Sequence, residues 1–189
     1  WWEKAWSFKD HGKSWDAVYR RQHPPGFRWL HEAFGTNWRL TEIQAAIGRI
    51  QLERMPGWHA TRTLHAGAIR AAARTLPALR VPAVPEDFIH AWYKCYLFVR
   101  PERLRTGWSR DRILEEINRR GVPCYTGICP EVYLEKAFEH TDCRPAERLT
   151  VARELGETGL MFLVHPTLKP EEIAKTCRVL TAVMESASS

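Results

Sequence analysis

No run of apolar residues in this sequence approaches the roughly 20 that a membrane-spanning helix needs, which excludes a helical bilayer crossing. The opening Trp1-Trp2-Glu3-Lys4-Ala5-Trp6 has no basic stretch leading into an apolar one and no initiator methionine. It does not read as a secretory leader, and a start on two tryptophans is what a piece of a longer polypeptide would show. Cysteine is sparse and odd in number, at positions 95, 124, 129, 143 and 177. Irregular spacing in a chain long enough to bury a core argues against a disulfide framework and for a reducing cytoplasm. Internal repeats and low-complexity segments are missing, as are helix-turn-helix, RNP and zinc-finger patterns. The basic surplus, 28 Lys and Arg against 22 Asp and Glu, is spread along the whole length. A surplus so distributed reads as solvated helix faces rather than as a nucleic-acid footprint.

What is present falls into three stretches. Residues 1–40 are aromatic and irregular, broken by Pro24-Pro25-Gly26, and read as a short helix followed by an extended segment. Residues 41–76 read as a long helix. Thr41 and Gln44 form a capping box, and Ile43, Ala46, Ile47 and Ile50 recur on one face. Pro56-Gly57 interrupts this pattern, so a kinked helix or two successive ones are expected. Residues 77–189 alternate strand and helix patterns. Strands are expected at residues 93–100, 122–128 and 161–164. Helices are expected after Ser109, over residues 130–138, over residues 144–155 and from Pro170, with a frayed serine-rich tail after Glu185. The expectation is an α/β (α+β) lobe: a long helix, then three or four strands with helices on one face.

Two segments carry a resemblance. The run Gly35-Thr36-Asn37-Trp38-Arg39-Leu40-Thr41-Glu42-Ile43-Gln44-Ala45-Ala46-Ile47-Gly48 is similar to the signature of the DegT/StrS aminotransferases. Residues 160–173 (LMFLVHPTLKPEEI) resemble that family's closing strand, proline turn and last helix. The resemblance implies aspartate-aminotransferase-like (fold type I) architecture and pyridoxal phosphate as cofactor. It also implies a homodimer whose active site is completed by the second subunit. The implied reaction moves an amino group, from glutamate, to a nucleotide-linked keto-sugar made for a polysaccharide or a glycosylated metabolite. The family's Schiff-base lysine lies upstream of the region matched, so this chain alone is expected to be inactive. Ser7-Phe8-Lys9-Asp10-His11-Gly12-Lys13 is not that lysine segment, because Gly12 stands where the lysine should be. The run Lys9-Asp10-His11-Gly12 better matches a later Arg-x-His-Gly stretch of the family.

The resemblance assigns Asn37 to the cofactor phosphate of the neighbouring subunit, for which an amide that donates without titrating is suited. A local role as turn residue is the alternative. Arg39 reads as an anion clamp or, alternatively, as half of an ordinary ion pair. Tyr125 and Tyr133 lie in residues 121–138, where the sequence departs from the family pattern. Each offers a hydroxyl to substrate or a packed ring with a polar tip. His165 reads as a packed, hydrogen-bonded ring. Cys124, Cys129, His140 and Cys143 could be written as a zinc set, but their spacing is too loose and no metal is expected. The competing reading is a non-catalytic interaction module that binds an anionic partner such as nucleic acid.

Overall fold

The computed structural model describes residues 1–23, 29–127 and 129–188. Six α-helices are found among them: α1 (Trp2–Lys9), α2 (Trp15–Tyr19), α3 (Glu42–Arg74), α4 (Arg110–Arg119), α5 (Thr150–Thr158) and α6 (Pro170–Ala187). Four strands, β1 (Leu79–Arg80), β2 (Cys95–Val99), β3 (Cys124–Tyr125) and β4 (Gly159–Phe162), form one sheet in the order β1-β2-β4-β3. Every neighbouring pair is antiparallel. The chain divides into two compact units, Trp1–Arg54 and Met55–Ser189, and α3 passes through the division.

Alternation along β2 decides where the core of the second unit lies. Cys95, Leu97 and Val99 are buried, while Tyr96 and Phe98 sit on the opposite face. The register pairs Leu97 with Leu160 and Cys95 with Phe162, so the apolar faces of both strands coincide. Ala66, Ile69 and Ala73 of α3, Ile113 and Ile117 of α4, and Leu180, Val183 and Met184 of α6 close over that face. Their spacings of three and four residues are those of one helix face.

Local chemistry fixes the ends of these helices. Thr41 N donates to Gln44 Oε1 at 3.1 Å and Gln44 N to Thr41 Oγ1 at 3.3 Å, the reciprocal cap expected for α3. Ser109 Oγ accepts from Arg112 N at 3.2 Å at the head of α4. Gly121, just beyond that helix, takes a φ of 71°, the left-handed conformation common after a helix end. Arg110 Nη1 donates to the carbonyls of Gly156 (2.9 Å) and Gly159 (3.0 Å), tying α4 to the turn from α5 into β4.

The structure departs from the sequence reading in several places. The first stretch contains two short helices, α1 and α2, because Ser14 caps a second one through Ala17 N at 3.3 Å. Residues 24–28, with the expected proline-glycine break, lie outside the described residues. Of the two forms expected around Pro56, the structure has a single helix rather than two successive ones, with Pro56 inside a continuous α3. Residues 130–138 form two 3-10 turns, Val132–Leu134 and Lys136–Phe138, and α5 starts at Thr150 rather than Arg144. The strand expected over residues 122–128 is ordered as strand only at Cys124–Tyr125, and Ile128 lies outside the described residues. The tail is not frayed up to Ser188: Ala187 is buried, its carbonyl accepts from Arg105 N at 2.9 Å, and Ser188 bridges Leu104. Tertiary hydrogen bonds override composition there. The stripe Ile43, Ile47 and Ile50 is exposed in this chain.

Leu180→Ala should therefore lower stability by about 2–5 kcal/mol, as for other buried leucines, whereas Ile47→Ala should stay within about 0.5 kcal/mol. Urea denaturation of the chain measures both, and equal losses would contradict this division between core and surface.

Candidate functional site

Asn37 is positioned by main chain before side chain. Thr36 N donates to Phe8 O (2.7 Å), His11 N to Thr36 O (3.0 Å) and Trp38 N to Lys9 O (3.0 Å). Asp10 and Asn37 thereby form a bridge. The two segments come so close that a Cβ on Gly12, where φ is 83°, would lie 1.7 Å from Ala33 O. One on Gly35 would lie 2.3 Å from Gly12 N. Only glycine fits either position.

On this frame Arg39 is held from three sides. Its Nε donates to Asn37 Oδ1 at 3.0 Å, Nη1 lies 3.5 Å from Asp10 Oδ1, and Nη2 lies 3.1 Å from His11 Nε2. A guanidinium has no acceptor, so His11 Nε2 is the acceptor and its proton belongs on Nδ1. Asp10 is buried, which pushes its carboxyl up, but Lys13 at 3.4 Å and Arg39 outweigh this and hold it below its ordinary value. The Asp10 carboxylate is thus a fixed charge behind Arg39. With Oδ1 of Asn37 taken by Arg39, the amide NH2 is its open group. Both Asn37 and Arg39 are exposed, and together they present N–H donors outward, a set that suits an oxyanion. A cleft of ≈ 630 Å³ in the same unit is lined by Glu3, Trp15, Glu32 and Phe34 among others, and Asn37 and Arg39 are not part of it.

Residues 1–181 match the DegT/DnrJ/EryC1/StrS aminotransferase family. The chain belongs to that family. It is 30% identical over 159 residues to the dTDP-3-amino-3,4,6-trideoxy-alpha-D-glucose transaminase of Streptomyces venezuelae, covering 84% of this chain and 38% of that protein. The X-ray structure of the aminotransferase from Psychrobacter cryohalolentis is similar at 53% identity with a TM-score of 0.89, covering 98% of this chain and 49% of the other. Streptomyces venezuelae DesV, solved in complex with a ketimine intermediate, shares the fold at a TM-score of 0.76 and 22% identity, over 95% of this chain and 43% of its own. The chain thus spans less than half the length of these relatives. The expected α/β aminotransferase fold is what the structure holds. For the family's pyridoxal phosphate, the outward donors of Asn37 and Arg39 fit the phosphate end.

Both nearby lysines are engaged in contacts of their own rather than turned to a cofactor aldehyde. Lys9 Nζ lies over the Trp6 ring at 5.5 Å, and Lys13 pairs with Asp10.

The two tyrosines belong to the second unit and differ sharply. Tyr125, on β3, is exposed. Tyr133 is buried, and its hydroxyl is used twice: it donates to Glu131 Oε1 (2.7 Å) and accepts from Leu149 N (2.9 Å). Arg148 grips the same carboxylate through Nε (2.9 Å) and Nη2 (2.5 Å). These hydrogen bonds from Arg148 and Tyr133 pull the Glu131 carboxyl down to about 2. The trio ties the irregular segment 131–149 to itself across 17 residues, too far for any local pattern to reveal. Nothing in the sequence links Asp10 to Arg39 either, although residues 9–12 stand out as a motif. Cys124 is buried, its thiol pushed up to about 12 by that burial, whereas Cys129 and Cys143 are exposed. Among the described residues no three His, Cys, Asp or Glu side chains are arranged to hold a metal ion. His165 is half-buried with Nδ1 2.8 Å from Thr167 Oγ1.

Two outcomes follow from this geometry. A carboxyl depressed in the folded state stabilises it fully above the unfolded value, 4.5 for Glu131, and that contribution fades as pH falls towards about 2. Hydrogen exchange of the Leu149 amide should accelerate over that acid window beyond its intrinsic change. In Glu131→Gln it should be fast already at about pH 7, and an unchanged Leu149 rate in this variant would remove the clasp. Separately, borohydride reduction of the chain with pyridoxal phosphate should give no stoichiometric adduct. A single adduct mapped to Lys9 or Lys13 would overturn the exclusion of these lysines.

Proposed function

We propose that the protein to which this chain belongs is a pyridoxal-phosphate-dependent aminotransferase acting on a nucleotide-linked keto-sugar, with glutamate as amino donor. The observation that carries this reading is the Asn37–Arg39 turn, whose free amide and guanidinium face outward from a carboxylate-backed frame, within a chain of that family. The transaminase of Streptomyces venezuelae, named for an amino sugar linked to dTDP, supports the substrate class. The product would enter a polysaccharide or a glycosylated metabolite in the cytoplasm.

In this reading Asn37 donates its amide N–H to the cofactor phosphate held by the partner subunit of a homodimer. Arg39 adds a second donor, this one charged, to the same anion or to substrate, kept in orientation by Asp10 and His11. Pyridoxal phosphate, when bound, supplies the aldehyde and the electron sink through which an amino group is exchanged. The exposed hydroxyl of Tyr125 is the better candidate for substrate. That of Tyr133 is committed to Glu131 and Leu149 N, which favours its packing role over substrate contact. The lysine of the Schiff base comes from outside this chain, which alone does not transaminate.

In the full-length protein, Asn37→Ala removes one donor to a charged acceptor, worth about 1.5–3 kcal/mol. Cofactor affinity should fall roughly ten- to a hundred-fold. Helix stability should move far less, because Thr41 and Gln44 cap α3 independently. Hybrid dimers of this variant with one lacking the Schiff-base lysine should recover activity in one of their two sites. A hybrid as poor as the Asn37→Ala homodimer would mean that the residue serves only its own turn.

A further inference from the structure

Among the described residues, one buried side-chain nitrogen or oxygen lacks a hydrogen-bond partner: Nδ1 of His65. His65 stands on α3 in the second unit and is 9% exposed. It makes no hydrogen bond and no ion pair among the described residues. Buried polar atoms are nearly always satisfied, and one left unpaired destabilises the fold until a partner reaches it.

His65 also lines a cavity of ≈ 360 Å³ between α3 and the first turns of α6. That volume falls in the range of small-molecule pockets, roughly 300–1,000 Å³. The cavity has a local cause in the sequence. Ala68 lines it from α3, and Ala174, one turn after Pro170, lines it from α6. Two methyl groups thus stand where longer side chains would close the gap between the helices. Ile173, 5% exposed, joins the wall to the core. Cys177 completes it; burial pushes this thiol up, which keeps it uncharged. No Asp, Glu, Lys or Arg is among the lining residues.

From the orphaned Nδ1 of His65 and the uncharged cavity that His65 lines, we infer a binding site for a small neutral molecule with an apolar body and a single hydroxyl, of the alcohol or phenol class. An anion would find no cation in the lining, which sets phosphates and nucleotides aside. A sugar would bring more hydroxyls than one orphaned nitrogen can meet, and burying the rest unpaired is unfavourable. An apolar body instead displaces water from Ala68, Ile173 and Cys177, while its hydroxyl pairs with Nδ1. That atom is closed to water as the ring stands, so the imidazole turns about its Cβ–Cγ bond to meet the hydroxyl. No hydrogen bond among the described residues opposes this turn, and such a torsion is soft. The inference goes beyond the transamination reading, whose substrate is a charged nucleotide derivative.

Equilibrium dialysis of the full-length protein against 2-naphthol, and against naphthalene as the same body without the hydroxyl, tests it. One saturable site per chain is expected for 2-naphthol, with naphthalene weaker by at least about fivefold for want of the hydrogen bond. His65→Phe keeps an aromatic ring but no nitrogen. It should bring 2-naphthol down to the affinity of naphthalene without lowering the thermal midpoint, because it removes an unsatisfied group. Ala68→Trp fills the cavity from an exposed helix position and should abolish binding of both probes. This variant keeps the test decisive if His65→Phe fails to fold. No saturable binding, the result if another part of the polypeptide lies over the cavity, overturns the site. So does binding that survives Ala68→Trp. Equal affinity for the two probes, or 2-naphthol binding that His65→Phe leaves unchanged, overturns the hydroxyl contact.

Discussion

The pairing of β2 with β4 is the constraint on which the second unit depends. Once Leu97 is set opposite Leu160 and Cys95 opposite Phe162, one face of the sheet becomes continuously apolar, and α3, α4 and α6 have only one surface on which to bury their stripes. A one-residue slip would exchange Leu97 for Tyr96 or Phe98 and break the core everywhere together. Arg110 guards that register by holding the carbonyls of Gly156 and Gly159 where β4 begins. A two-residue β1 and a two-residue β3 suffice because both merely extend a pair already determined.

The first unit is built on a different principle. Little of it is core: Ala17 and Leu30 are the buried apolar residues among those described. Its order comes from main-chain hydrogen bonds between residues 8–11 and 36–38, and from polar contacts that converge on Arg39. Two positive charges bracket Asp10, and the resulting carboxylate helps to hold the guanidinium, which in turn occupies Asn37 Oδ1 and leaves the amide nitrogen as the open group of an exposed residue. Which end of the Asn37 amide is left open therefore depends on an ion pair one step removed from it.

Much of this was legible in the sequence where the determinants are local. The α3 cap at Thr41 and Gln44, the Ser109 cap, the stripe on α6 and the strong strand at Cys95–Val99 all rest on residues within a turn or two of one another. Reading failed where long-range bonds decide. Arg148 reaches Glu131 over 17 residues, so the segment between them is held by side chains instead of by helix, and helical pattern alone overextended the elements on both sides of it. The tail is ordered because Arg105 and Leu104 receive it, which its serine content could not disclose. At the candidate site, Asn37 and Arg39 stood out through their resemblance to a family signature, whereas Asp10 and His11, which set their geometry, carry no spacing that points to position 39.

Gly12 and Gly35 give that signature another meaning. The obstacles to a side chain at these positions are the carbonyl oxygen of Ala33 and the backbone nitrogen of Gly12, atoms every residue type possesses. No second substitution can clear them, as a smaller neighbour clears space in an apolar core. A selection for folding alone, blind to any chemistry, would still return glycine at both positions. Part of what makes this stretch recognisable is thus a grammar of backbone crossing, written independently of the reaction it has come to accompany.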